Sequence, residues 1–208
     1  MKKNTIKTTA ISIVAVFVMT VAAFAQNNGY QVDDLATDFT LKNVDGKMVS
    51  LSDYKSAKGY IVIFSCNTCP YVVAYEDRMI DLHNKYNKKG FPVIAINPND
   101  PELSPGDSFE NMQKRAKEKQ FPFAYVFDEK QEVFPKYGAT RTPHVYLLEK
   151  TDRGNIVRYI GAIDDNFKDA TAVNDKFLEN AVDALLAGEE ITETTTRAIG
   201  CTIKVKSK

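Results

Sequence analysis

The stretch Ile61-Val62-Ile63-Phe64-Ser65-Cys66-Asn67-Thr68-Cys69-Pro70-Tyr71-Val72-Val73 decides how the rest of the chain is read. Tyr60 to Phe64 is an apolar run of the β type and Pro70 opens a segment with helical spacing, so two cysteines sit where a strand hands over to a helix. Two intervening residues bring both sulfurs onto one turn, within reach of a disulfide, and the unpaired N–H groups of a first helical turn favour a thiolate. The pattern predicts that Cys66 is the acidic, exposed thiol. Pro70 suits the first helical position, where a missing N–H removes no intrahelical bond.

Three chemistries suit such a pair: a redox dithiol, a structural disulfide, or metal capture. A four-cysteine zinc site is excluded because Cys201 is the only further cysteine and His83 and His144 lack knuckle spacing. Copper capture by Cys66 and Cys69 with a histidine stays open. A disulfide closing so small a loop stabilises little, which favours the redox couple. Neither a metal nor a cofactor is required for that chemistry. His83 is expected on an exposed helix face and His144 at the start of a buried strand, both structural.

Basic and acidic side chains balance at 27 each over 208 residues, so no net field draws nucleic acid or an anionic membrane. Partners are found by site chemistry. At the N-terminus, Lys2, Lys3 and Lys7 precede an apolar run from Ala10 to Ala22, and Ala23-Phe24-Ala25 supplies the small residues of a cleavage site. Residues 1–25 are read as a signal peptide, cut before Gln26. An uncleaved anchor is the alternative, which a run of about 18 residues barely permits. Export, to a periplasm or beyond the cell, carries the dithiol out of the reducing cytosol with no stable membrane insertion after cleavage.

Residues 26–34 form a polar leader, 35–188 the domain, and 189–208 a polar tail. Phe39/Leu41 and Met48 to Leu51 alternate about Asp45-Gly46, a hairpin signal. The helix after the dithiol stops at Lys88-Lys89-Gly90, and Phe91 to Ile96 is a second buried strand. Residues 97–107 form a loop with three prolines, long enough to serve as a substrate-facing rim. A helix over Ser108 to Lys119, a strand over Phe123 to Phe127, a helical turn over Gln131 to Tyr137, a hairpin from His144 to Ile160 and a helix over Ala172 to Ala187 complete the order. A parallel βαβ half followed by an antiparallel half is an α/β sandwich.

With these elements in place, residues 35–188 resemble the thioredoxin superfamily, and the front hairpin resembles exported redoxins. That group includes thiol-disulfide oxidoreductases and the alkyl hydroperoxide reductase/thiol-specific antioxidant family. The resemblance implies a thioredoxin-like three-layer sandwich with an N-terminal β-hairpin and a C-terminal tail. It implies Cys66 as the attacking and Cys69 as the resolving thiol of a thiol-disulfide oxidoreductase. Thr142-Pro143 matches the family's cis-proline dipeptide, which presents main-chain groups to substrate. Protein or small-molecule disulfides are the implied substrates, with an upstream thiol as reductant.

The chain departs from that pattern at several points. Ser65 stands where thioredoxins carry tryptophan, and Tyr60 and Val72 replace the acids that serve as proton carriers, leaving Glu76 the nearest carboxylate on the following helix. Peroxiredoxins offer a second resemblance, with Cys69-Pro70 as the peroxidatic pair, Cys66 in place of a threonine, and Arg141 as an accessory charge. Cys201, flanked by Ile199, Ile203 and Val205, is expected to sit in a short packed strand, dispensable for exchange, with a role as a third redox thiol as the alternative.

Overall fold

A computed structural model describes residues 29–206. The expected signal peptide and cleavage point fall outside the described residues. Among those described, no helix is long and apolar enough to cross a membrane.

In chain order the elements are β1 (Leu35–Ala36), β2 (Thr40–Asn43), β3 (Met48–Ser50), β4 (Gly59–Phe64), α1 (Pro70–Tyr86) and β5 (Val93–Asn97). There follow α2 (Phe109–Lys119), β6 (Ala124–Phe127), α3 (Phe134–Tyr137), β7 (Arg141–Thr142), β8 (His144–Thr151), β9 (Gly154–Gly161), α4 (Phe177–Ala187) and β10 (Cys201–Thr202). Strands β4, β5 and β6 run parallel at the centre, and β8 lies antiparallel beside β4. The main sheet has the order β1-β9-β8-β4-β5-β6-β2-β3, while β7 and β10 form a separate pair.

Every residue of β4 and β5 is buried, as a continuous apolar run requires of strands covered on both faces. Alternation assigns the faces. Ile61, Ile63, Val93 and Ala95 meet Met79 and Leu82 of α1, Met112 of α2 and Leu178 and Val182 of α4. Tyr60, Val62, Phe64, Ile94 and Ile96 meet Phe39, Phe134, Tyr137 and Ile203 on the other side. The result is the expected three-layer thioredoxin-like sandwich, with three longer helices on one face and α3, the chain before β2 and part of the tail on the other.

The local signals produce these elements directly. Asp45-Gly46 turns the β2–β3 hairpin, with Gly46 at φ 85° and Lys42 opposite Met48. Ser108 caps α2 by accepting from the Asn111 N–H. The last helix begins at Phe177 and not at Ala172, because Asp165 binds the Asn174 N–H by its side chain and donates its own N–H to the Asp175 carbonyl. Those bonds hold residues 173–175 out of the helix. His83 is buried, its Nδ1 accepting from the Val93 N–H at 3.3 Å, so it faces β5 and not solvent. Burial holds its pKa below the ordinary histidine value.

The ends of the proline-rich loop are buried at Asn97, Asn99, Asp100 and Asp107 and form a polar floor beneath the dithiol, while Glu102, Leu103 and Pro105 in its middle are exposed. The tail is not a loose extension, since Thr195 bridges Ile160 and β10 pairs with β7.

Candidate active site

The register Phe64↔His144 starts β8 opposite the end of β4, and this brings Thr142-Pro143, just upstream of β8, against Ser65-Cys66. The Thr142–Pro143 peptide is cis. Thr142 touches both sulfurs, with Oγ1 3.2 Å from Cys66 Sγ and its carbonyl 3.1 Å from Cys69 Sγ. The site thus brings Cys66, Cys69, Thr142 and Pro143 together. Both cysteines are free thiols, each only 3% exposed, so Cys66 is not the open thiol the spacing suggested.

The charge preference is also opposite to the expectation. Helix α1 begins at Pro70 and makes Cys69 its N-cap, whereas Cys66 lies before the Asn67-Thr68 bend, outside the first turn. Hydrogen bonding from Cys66 is the largest cause lowering the Cys69 pKa, to about 5, against the opposing effect of burial. The Cys201 thiol and the Val72 and Cys201 N–H groups add to it. Cys66 is pushed up, first by its bond to Cys69, then by burial and by the negative charge of Asp107. Cys69 Sγ donates to the Thr142 carbonyl, and Cys66 Sγ lies within hydrogen-bond distance of Thr142 Oγ1. The two shifts run toward a charge on Cys69.

Asp107 is the functional residue that sequence reasoning missed. Fully buried, it accepts through Oδ1 from the Asn67 and Thr68 N–H groups at 2.8 and 3.1 Å. Its Oδ2 accepts from Thr68 Oγ1, Asn99 Nδ2 and Ser104 Oγ at 3.1, 2.8 and 2.7 Å. Five donors around one carboxylate fix the turn between the cysteines from below. Asn67 closes the same network, donating to the Gly106 carbonyl and accepting from Tyr125 OH, each at 2.9 Å. The available signal was an aspartate near the end of a loop rich in Asn, Ser and Pro, a composition that forms side-chain-to-backbone turns.

The accessory candidates separate. Glu76 is 1% exposed and clamped in bidentate fashion by Arg115 at 2.6 Å for both bonds, with Lys119 Nζ at 3.5 Å. It is a buried ion pair joining α1 to α2, and its oxygens are committed away from Cys69. Arg141 is exposed and donates to the Gly200 carbonyl at 3.0 Å, holding the tail. Cys201 is half-buried and packs on the cluster of Cys66, Cys69 and Val72. His144 carries a buried Nδ1 with no partner, and burial lowers its pKa to about 4, so it is neutral at physiological pH. Among the described residues, no group of three or more His, Cys, Asp or Glu is arranged to hold a metal ion.

Comparison with known proteins agrees with this geometry. The family described as AhpC/TSA matches residues 32–166. The thiol-disulfide oxidoreductase ResA of Geobacillus thermodenitrificans (strain NG80-2) is 28% identical over 133 residues, 62% of this chain and 70% of that protein. Peroxiredoxin Q, chloroplastic, of Triticum aestivum is 31% identical over 130 residues, 59% of this chain and 55% of that protein. Among solved structures, an uncharacterized conserved protein from Geobacillus kaustophilus is 39% identical, with a TM-score of 0.79 over 87% of this chain and 95% of that one.

Proposed function

The chain belongs to the AhpC/TSA family, and from that premise we propose that it is a thiol-disulfide oxidoreductase whose redox couple is Cys66 and Cys69. The observation that carries the reading is the contact of both sulfurs with Thr142, beside the cis Pro143. The likeness to a thiol-disulfide oxidoreductase supports it.

The electrostatics divide the roles. The Cys69 thiolate attacks one sulfur of a substrate disulfide; that S–S bond breaks, a mixed disulfide forms on Cys69, and the leaving thiolate takes up a proton. Cys66 then loses its proton and attacks Cys69 Sγ, closing the Cys66–Cys69 bond and expelling the second substrate thiol. The substrate gains two electrons and the protein loses two, which an upstream thiol reductant returns. Thr142 and Pro143 form the wall against which the incoming chain lies. Asp107 fixes the Asn67-Thr68 turn, while the Cys69 bond, burial and the Asp107 charge together oppose ionisation of Cys66, the first of these ending once Cys69 enters the mixed disulfide. This order reverses the assignment of attacking and resolving thiols that the family resemblance implies.

The N-terminal pattern of Lys2, Lys3, Lys7, the apolar run and Ala23-Phe24-Ala25 supports export, which leaves the couple where disulfides persist. Disulfide-bonded exported proteins and small disulfides are the substrates of this reading. A second reading, reduction of peroxide at Cys69, is favoured by the low Cys69 pKa at a Cys-Pro helix start. Reduced protein supplied with a recycling thiol distinguishes the two. Turnover of insulin or a small disulfide, abolished in Cys69→Ser and accompanied by little loss of peroxide, supports disulfide exchange; rapid peroxide consumption with inert insulin moves the assignment to a peroxidase.

A further inference from the structure

The residues after α4 return to the dithiol as a strand. Cys201 pairs with Thr142 and Thr202 with Arg141 in antiparallel register. The Ile203 N–H donates to the Thr140 carbonyl at 3.2 Å. Gly200 is pressed so closely to the dipeptide that a Cβ there would lie 2.2 Å from the Thr142 carbonyl oxygen. On one side of Cys201, the Lys204 N–H donates to Asn99 Oδ1 at 2.9 Å, and the Lys204 carbonyl accepts from the Asp100 N–H at 2.9 Å and Gln131 Nε2 at 2.8 Å. On the other, Thr196 donates to the Ile160 carbonyl and accepts from the Ala162 N–H, both at 3.0 Å. The segment is fastened on both flanks, and this places Cys201 on the cluster of Cys66, Cys69 and Val72.

That position has a stereochemical meaning. Thr142 contacts both sulfurs, so an extended chain that delivers a cysteine to Cys69 lies along the β7 edge. Strand β10 already occupies this edge, with a cysteine directly opposite Thr142.

Resting on the redox assignment above, we propose that Cys201 is a third exchanging thiol, carried by β10 as an internal counterpart of a substrate cysteine. In the oxidised protein Cys201 gives up its proton and its sulfur attacks Cys69 Sγ. The Cys66–Cys69 bond breaks, the Cys69–Cys201 bond forms, and Cys66 leaves as a thiolate that takes up a proton. One disulfide replaces another, so no external oxidant or reductant takes part. The product adds a covalent link to the hydrogen bonds that already hold β10 on the β7 edge, so an incoming chain can displace β10 only after a thiol reductant breaks that link. Burial, then hydrogen bonding and repulsion from the Cys69 charge, push the Cys201 thiol up to about 11 in the reduced protein. The Cys69 contributions vanish once that sulfur is in a disulfide, so the attacking thiolate forms more easily in the state that uses it.

The test treats reduced Cys66→Ser and Cys66→Ser/Cys201→Ser, both full-length, with an aryl disulfide that releases a coloured thiolate, followed by acid quench and peptide mapping. In Cys66→Ser the expected result is about two equivalents of colour per protein, no retained aryl group and a peptide pair joining Cys69 to Cys201. The double variant is expected to release about one equivalent and keep the aryl group on Cys69. Cys66→Ser that holds aryl groups and gives no linked peptides overturns the proposal. Wild-type protein, oxidised and mapped in the same way, covers the case of a variant that misfolds: a Cys69–Cys201 pair beside Cys66–Cys69 upholds the proposal, and its complete absence overturns it. Finding neither linkage in wild type refutes the redox couple itself, whereas Cys66–Cys69 alone refutes only the role given to Cys201.

Discussion

Replacing Asp107 with alanine removes the floor of the dithiol turn, and the cost can be worked from its partners. Of the five donors, the hydroxyls of Thr68 and Ser104 can rotate to other acceptors, but the N–H groups of Asn67 and Thr68 and the Asn99 amide cannot. Each buried donor left without a partner costs about 1–3 kcal/mol, and water entering the vacated space recovers part, which leaves about 3–5 kcal/mol in all. Asp107→Asn keeps an oxygen for the two main-chain donors and turns an NH2 toward the Thr68 and Ser104 hydroxyls, which can accept, and toward Asn99 Nδ2, which cannot, so it should cost about 1–3 kcal/mol. Urea unfolding of the reduced proteins reads both values. Because the carboxylate charge raises the Cys66 pKa, Cys66 in Asp107→Asn should also alkylate at lower pH than in wild type. An alanine variant within about 1 kcal/mol of wild type refutes the claim that Asp107 supports the turn.

Other substitutions test separate contacts. Glu76→Gln strands Arg115 in a partly buried pair and should lower stability by about 2–3 kcal/mol while the folded protein still exchanges disulfides; a loss of activity larger than the loss of fold would return Glu76 to the chemistry. Alkylation of Cys69 in reduced protein should stay level through neutral pH and fall about tenfold per pH unit below about 5, because protonation removes the thiolate; a midpoint near the ordinary thiol value contradicts the lowering of the Cys69 pKa by Cys66. Gly200→Ala drives a Cβ into the Thr142 carbonyl, so β10 should part from β7 and Cys201 should alkylate several-fold faster; unchanged labelling would mean that the strand pairing does not shield it.

Much of the architecture was legible because its signals are local. The apolar run of β4, the Asp45-Gly46 turn, the Gly90 stop and the Thr142-Pro143 dipeptide each specify nearby backbone, and their order leaves few topologies. What the sequence concealed depends on side-chain contacts and distant partners. The start of α1 at Pro70 was legible, but the interaction between the two thiols that lowers the Cys69 pKa was not. Glu76 looks like a solvated charge until Arg115, 39 residues onward, folds across it. Asp107 and Cys201 come to the dithiol turn from distant parts of the chain, Asp107 from 40 residues beyond Asn67, and neither has a local pattern that points there.

The central claim, that Cys66 and Cys69 form one redox couple, is tested most directly by equilibrating wild-type protein across thiol-disulfide buffers of graded potential, then quenching with acid and alkylating. The account predicts a single two-electron transition in which Cys66 and Cys69 yield a linked peptide pair, any Cys66 that stays alkylatable being matched by Cys69 linked to Cys201. Cys66 and Cys69 titrating independently, each as a mixed disulfide with the buffer thiol and without a linkage between them, would contradict it.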